Sequence, residues 1–86
     1  MSEIEEVRKY TGWKDIKLLD CNNYHFYFQT AIGDLIFLNN ILRCYTGGTG
    51  NYVVAVGDKY YIGGGDNEKV YFFAEFSSLK EACEAL

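Results

Sequence analysis

The stretch Asn51–Phe76 reads N-Y-V-V-A-V-G-D-K-Y-Y-I-G-G-G-D-N-E-K-V-Y-F-F-A-E-F, and its reading decides the fold. Three runs within it, Tyr52–Val56, Tyr60–Ile62 and Val70–Phe76, are rich in the β-branched and aromatic residues that suit a pleated surface. Gly57-Asp58-Lys59 and Gly63-Gly64-Gly65-Asp66-Asn67 separate them as turns, because glycine reaches positive φ without a Cβ clash and Asp and Asn tolerate it. The spacing predicts three consecutive β-strands around which the chain is organised. In the last of these strands, simple alternation puts Val70, Phe72, Ala74 and Phe76 on one face and Tyr71, Phe73 and Glu75 on the other.

Upstream, Ser2-Glu3-Ile4-Glu5 opens a short helix, with Ser2 and Glu5 at capping-box spacing. Acidic Glu3, Glu5 and Glu6 in its first turn and basic Arg8 and Lys9 near its end complement the helix dipole. Gly12 stops it, and Trp13 pins its exit onto the core. Asp15–Asp20 leans to a strand, with Cys21-Asn22-Asn23 as a turn after it. Tyr24–Thr30 is a strand whose Tyr24, Phe26 and Phe28 face the core, with His25, Tyr27 and Gln29 opposite.

Residues 34–45 support two readings. As a helix, Asp34 is the N-cap, Asn39, Asn40 and Arg43 share a polar face, and Gly47-Gly48 ends it; Ile36 then sits on the wrong side. As strands, Leu35–Leu38 and Ile41–Thr46 form a hairpin around Asn39-Asn40. The helix accounts for both boundaries and is preferred. Thr46–Asn51 is a glycine-rich connection. At the other end, Ser78 and Glu81 repeat the capping-box spacing, and Leu79, Ala82, Cys83 and Leu86 make the buried stripe of a last helix that must dock on the sheet. The expected fold is one α+β domain over residues 1–86: a mostly antiparallel sheet of four to six strands, an N-terminal helix, a middle helix where that reading holds, and a C-terminal helix packed on the sheet.

Composition bounds the function. Hydrophobic residues make up 49% of the 86 residues and aromatics 17%, enough for a core and too many for a disordered chain. Eight basic residues stand against 12 acidic ones, a net charge of −4, and only Arg8 and Lys9 are adjacent. Phosphate neutralisation needs a basic stripe, so direct nucleic-acid binding is not expected. No apolar run approaches the roughly 18 residues of a membrane span, and the acidic Met1–Arg8 is unlike a secretory signal. Cys21, Cys44 and Cys83 are odd in number and widely spaced, which fits free thiols in a reduced, cytoplasmic setting.

The candidate chemistry is thin. Gly47-Gly48-Thr49-Gly50 lacks the lysine and hydroxyl of a phosphate loop, and a strand follows it instead of a helix. The three cysteines with His25 lack any Cys-x-x-Cys knuckle, so no metal or other cofactor is expected. His25 is the one histidine and stands on the face opposite the presumed core, and no carboxylate pair is set up as acid and base. No catalytic residues are assigned, and the protein is not expected to be an enzyme.

The leading reading is a small acidic protein–protein interaction module that inhibits or antagonises a partner enzyme by blocking its surface. The expected partner is another protein with a basic surface, such as a nuclease or nucleic-acid-binding enzyme. Asp58, Asp66, Glu68 and Glu75 would meet its cations, and Tyr60, Tyr61, Tyr71 and Phe73 would supply aromatic anchors. In size and composition the chain is similar to small acidic inhibitors of phages and mobile elements, such as anti-CRISPR proteins, and to toxin-immunity proteins; no motif carries that likeness. Two other readings come from different classes. One is a small-molecule-binding or enzymatic domain with an aromatic pocket near His25 and Tyr27. The other is a homo-oligomeric structural subunit, such as a homodimer formed through the sheet.

Overall fold

A computed structural model describes residues 2–48, 50–65 and 68–86. In chain order the elements are helix α1 (Glu3–Thr11), strand β1 (Lys17–Leu19), a 3-10 turn (Cys21–Asn23), β2 (His25–Gln29), β3 (Leu35–Leu38), β4 (Ile41–Thr46), β5 (Asn51–Val56), β6 (Lys59–Gly65), β7 (Lys69–Phe76) and helix α2 (Leu79–Glu84). The fold is a mixed α+β arrangement of seven strands in one sheet, ordered β1-β4-β5-β6-β7-β2-β3. Every neighbouring pair is antiparallel except β2 and β7, which run parallel.

The meander β5–β6–β7 stands at the centre, as the sequence predicts. Its first turn is Gly57-Asp58, with Gly57 at φ 60°, between the Val56–Lys59 pair. Its second break is not where the glycines are. Gly63, Gly64 and Gly65 lie inside β6 and pair with Phe72, Tyr71 and Val70. They serve close strand approach instead of a turn. The rest of the predicted break includes Asp66 and Asn67, which lie outside the described residues.

Residues 34–45 form no helix, and they form no hairpin either. Leu35–Leu38 pairs only with β2, while Ile41–Thr46 pairs with β1 and β5. Asp34 caps nothing: its backbone N–H donates to the Thr30 hydroxyl at 3.0 Å, closing the β2–β3 turn. The sheet therefore has one strand more than the upper end of the expected range. The physical reason is burial. As strands, Leu38, Ile41 and Cys44 reach one cluster and Tyr45 reaches another, whereas one helix face could serve only one of them.

The link Asn39-Asn40 also curls the sheet. In a flat sheet β3 and β4 would lie about 24 Å apart, five strand spacings. The three Cα steps from Leu38 to Ile41 span at most about 11 Å. The sheet must wrap toward a barrel, and its concave side encloses Phe26, Cys44, Val54, Val70 and Phe72. Phe26 and Phe72 stack there with centroids 5.9 Å apart and planes within 6°.

The convex side carries the helices. Val7 of α1 and Leu79, Ala82 and Cys83 of α2 bury against Tyr45, Val53 and Ile62. Trp13 joins this cluster and lies against Gly47, where an added Cβ would come within 2.9 Å of its ring. Gly12 ends α1 at φ 77°. Ser2 gives α1 no side-chain cap, but the Ser78 hydroxyl accepts from Glu81 N at 3.2 Å at the start of α2. Leu86, expected on the buried stripe, stays 42% exposed because α2 ends before it.

Two bulges let single strands serve both clusters. On β7, Ile62 pairs with Ala74 and Gly63 with Phe72, so Phe73 is an extra residue. Val70 and Phe72 consequently face the concave cluster while Ala74 and Phe76 face the helices. This corrects the single face expected for those four side chains. On β4, Leu42 is the extra residue between the Ile41 and Arg43 pairings. Both bulge residues are more than half exposed.

Candidate protein-contact surface

The residues expected to make one contact surface are distributed over three environments. Tyr60 packs with the helix cluster, and its hydroxyl lies 3.4 Å from Glu3 Oε2. Tyr61 turns to the concave side, edge-on to Phe28 at 5.6 Å, and its hydroxyl donates to Glu75 Oε2 at 2.7 Å. That hydrogen bond, with burial and the carboxylate charge, pushes the Tyr61 phenol up to about 12. Glu75 also lies 4.0 Å from Lys59 Nζ. Asp58 is exposed in the β5–β6 turn. Glu68 is exposed before β7, and its carbonyl accepts from His25 N at 2.8 Å. Phe73 is 62% exposed at its bulge. Asp66 lies outside the described residues. The structure thus joins Tyr61 to Glu75 and Tyr60 to Glu3, and it sets Tyr71 apart from both.

Tyr71 belongs to a different group. The parallel pairing of β2 with β7 sets Tyr27 opposite Tyr71, and the antiparallel pairing of β2 with β3 sets Tyr27 opposite Phe37. The two tyrosines stack at 5.8 Å with a 23° interplanar angle, and Phe37 meets Tyr27 edge-on at 5.7 Å and 65°. Three rings from three adjacent strands make one row on the convex side. The helices cover that side over β4, β5, β6 and the end of β7. The row lies beyond them, and Phe37 is 57% exposed. Its register neighbours on the same side are His25, Lys69, Gln29 and Leu35. Sequence alternation did put Tyr27 and Tyr71 on outward faces. Phe37 was missed because its segment was read as a helix, and the strand order that aligns the rings has no local signal.

A cleft of about 320 Å³ opens at the β3–β4 link, lined by Cys21, Asn22, Tyr24, Phe26, Phe37, Leu38, Asn39, Asn40 and Ile41. Among the described residues no ionised side chain lines it, and its lining does not include His25 or Tyr27.

Cys44 lies in the concave cluster and Cys83 in the helix cluster, so the sheet stands between them. Among the described residues no group of three or more His, Cys, Asp or Glu could hold a metal ion. Burial pushes the Cys44 thiol up to about 12, with a smaller contribution from Cys21, and the Cys83 thiol up to about 11. Burial and then Asp20 raise the half-buried Cys21 as well. The thiolate is the reactive form. In the folded protein at pH 8, an alkylating reagent is therefore expected to modify Cys21 slowly and Cys44 and Cys83 at least tenfold more slowly still, with all three reacting in guanidinium. Mass spectrometry of quenched samples reads this directly. Rapid native labelling of Cys44 would contradict a closed concave cluster.

These features define a small α+β domain with a curled sheet, two helices on one part of its convex side and an aromatic row on the rest. Compared with known proteins, the chain matches no family model, no curated protein and no solved structure. Among the described residues no helix is long and apolar enough to cross a membrane.

Proposed function

We propose that the protein is a small acidic binding module that acts by occupying the surface of a partner protein, as an inhibitor does. The observation that carries this reading is the row Tyr71–Tyr27–Phe37 on the helix-free part of the sheet. Aromatic rings held by stacking lose little conformational freedom on binding and dominate the centres of protein contacts. The net charge of −4 steers the molecule toward a partner with a basic surface. Asp58, Glu68 and Glu75 are exposed carboxylates that contribute to that field, and they lie outside the aromatic row.

The test is affinity capture from cells of the native source, with partners identified by mass spectrometry, using wild type and Tyr71→Ser in parallel. Tyr71 is half-buried on the open face, so the variant is expected to fold, which circular dichroism checks. Loss of a hot-spot tyrosine is expected to weaken a specific partner roughly 30-fold or more. Binding of that partner should also fall with added salt and with charge reversal at Asp58, Glu68 and Glu75 together. Equal recovery by wild type and Tyr71→Ser removes the aromatic row from the reading. Salt-insensitive binding unaffected by charge reversal removes the basic partner.

A further inference from the structure

The outer edge of β3 is the second unpartnered feature of the sheet. Among the described residues β3 is a terminal strand, bonded to β2 on one side only. Leu35, Ile36 and Phe37 are 50%, 52% and 57% exposed. Terminal strands are ordinarily protected by charge, proline or a bulge. β3 has none of these: no Lys, Arg or Pro occurs from residue 18 to residue 42, and its pairing with β2 is regular.

The turn fixes which backbone groups point outward. Thr30 N donates to Asp34 O at 2.9 Å, which makes 30 and 34 a hydrogen-bonded pair of the β2–β3 ladder. Such pairs alternate along an antiparallel ladder. Ile36 therefore turns its N–H and C=O toward β2, and Leu35 and Phe37 turn theirs to the open edge.

We propose that this edge is the dimer interface of the protein, occupied by β3 of a second copy running antiparallel about a two-fold axis at Ile36. The inference shares Phe37 with the aromatic row, but its axis lies at Ile36 on the opposite face of the strand from Tyr27, and Tyr71 takes no part in it. The register is selected by the outward groups. Centring the axis on Ile36 joins Leu35 of each copy to Phe37 of the other through both backbone bonds. It leaves the two Ile36 residues as a non-hydrogen-bonded pair. All three exposed apolar residues then face apolar residues: Leu35 meets Phe37, Ile36 meets Ile36, and Phe37 meets Leu35.

The two-fold register, which sets each exposed apolar residue against another, selects a copy as the occupant, and local charge does not oppose it: the edge offers a basic partner no carboxylate to bind. Two chains of net charge −4 repel at long range, so an interface between copies must be locally neutral. Leu35 to Leu42 contains no ionisable side chain. The nearest carboxylate, Asp34, falls opposite Leu38 of the other copy, about 13 Å along the strand from the other Asp34. A closed two-fold pairing also consumes the edge, so assembly stops at two chains.

Sedimentation velocity of the full chain across a wide concentration range is the first measurement, with a species of twice the 9.8 kDa chain mass expected. Ile36→Lys places two ammonium groups side by side on the axis and should raise the dissociation constant at least 100-fold while keeping the native circular dichroism. Oxidative cross-linking then reads the register, in a Cys21→Ser background. Non-hydrogen-bonded antiparallel pairs have the Cα spacing a disulfide accepts. Ile36→Cys should cross-link to a covalent dimer faster than Phe37→Cys. A monomer at every concentration, a dimer indifferent to Ile36→Lys, faster cross-linking at residue 37, or open-ended filaments would each overturn the proposal. Loss of partner capture on Tyr71→Ser leaves the dimer intact, so the two readings fail separately.

Discussion

Gly63→Ala is expected to lower stability by about 3 kcal/mol or more, at the upper end of what adding one methyl group does to a packed site. The bulge at Phe73 draws β7 across β6 so closely that a Cβ on Gly63 would fall on the Tyr71 carbonyl oxygen and within 2.7 Å of Phe72 Cα. The obstacle is backbone, so no rotamer change relieves it. The strands must part where Phe72 and Ile62, the two largest fully buried side chains, anchor the concave and helix clusters. Native stability of a small domain is only about 5–15 kcal/mol, so the loss is a large share of the total. The neighbouring glycines grade the effect. At Gly65 the Cβ would meet the Lys69 carbonyl and lie 3.0 Å from Val70 Cα, and at Gly64 it would lie 3.2 Å from Gly50 O. Urea unfolding should rank the losses Gly63→Ala, then Gly65→Ala, then Gly64→Ala. A Gly63→Ala protein within about 0.5 kcal/mol of wild type, the scatter of an ordinary surface substitution, would mean that the bulge is absent.

That triplet also shows what was legible in the chain and what was not. Local devices could be read. Gly57-Asp58 makes the predicted turn, Gly12 the predicted helix stop, and Ser78 the predicted cap. Three glycines in a row give the same local signal whether they turn the chain or admit a neighbouring backbone. Only the partner strand decides between them. The bulges at Leu42 and Phe73 are hidden for a related reason. Alternation along an isolated strand assumes an unbroken period of two, and one extra residue reverses the face of everything after it. Val70-Tyr71-Phe72-Phe73-Ala74 is apolar on both faces, so its pattern gives no warning of the reversal.

The same limit governs the contact surface. Tyr60, Tyr61 and Tyr71 look alike in sequence, yet one hydroxyl lies near Glu3 across the helix cluster, one binds Glu75, and one ring stacks on Tyr27. The stacking depends on the parallel β2–β7 pairing of segments more than 40 residues apart. It also depends on a sheet curled by a two-residue link. Both are consequences of the whole topology. The outward face of β2 was readable from Tyr24–Thr30 alone. What lay beside it was not.

Glu3→Ala is expected to cost about 2 kcal/mol at neutral pH, because it removes a carboxylate that ties α1 to three partners on the sheet. Arg43 donates to Glu3 through Nε, and through its second amine at 3.1 Å; Tyr45 donates its hydroxyl at 2.7 Å, and the Tyr60 hydroxyl lies 3.4 Å away. Truncation leaves the Tyr45 hydroxyl and the half-buried guanidinium without their acceptor. The pH dependence separates this cluster from simple packing loss. Burial pushes the Glu3 carboxyl up, but the hydrogen bonds from Arg43, Tyr45 and Tyr60 and the Arg43 charge outweigh it and leave the carboxyl below its ordinary 4.5. A lowered carboxyl contributes stability above its unfolded value and loses it as pH falls through the folded value. Tyr45 has the opposite sign. Burial first, and then its bond to Glu3, raise the phenol above its ordinary 10, so its contribution is complete below pH 10 and is lost as pH rises further. Denaturation midpoints for wild type should therefore fall below pH 4.5 and above pH 10. Glu3→Gln keeps an acceptor for Tyr45 but removes the charge, so it should flatten the acid decline, and Tyr45→Phe should flatten the alkaline one. An acid limb unchanged by Glu3→Gln would show that α1 is held by Val7 and its apolar neighbours alone, with the Arg43 contact adding nothing in solution.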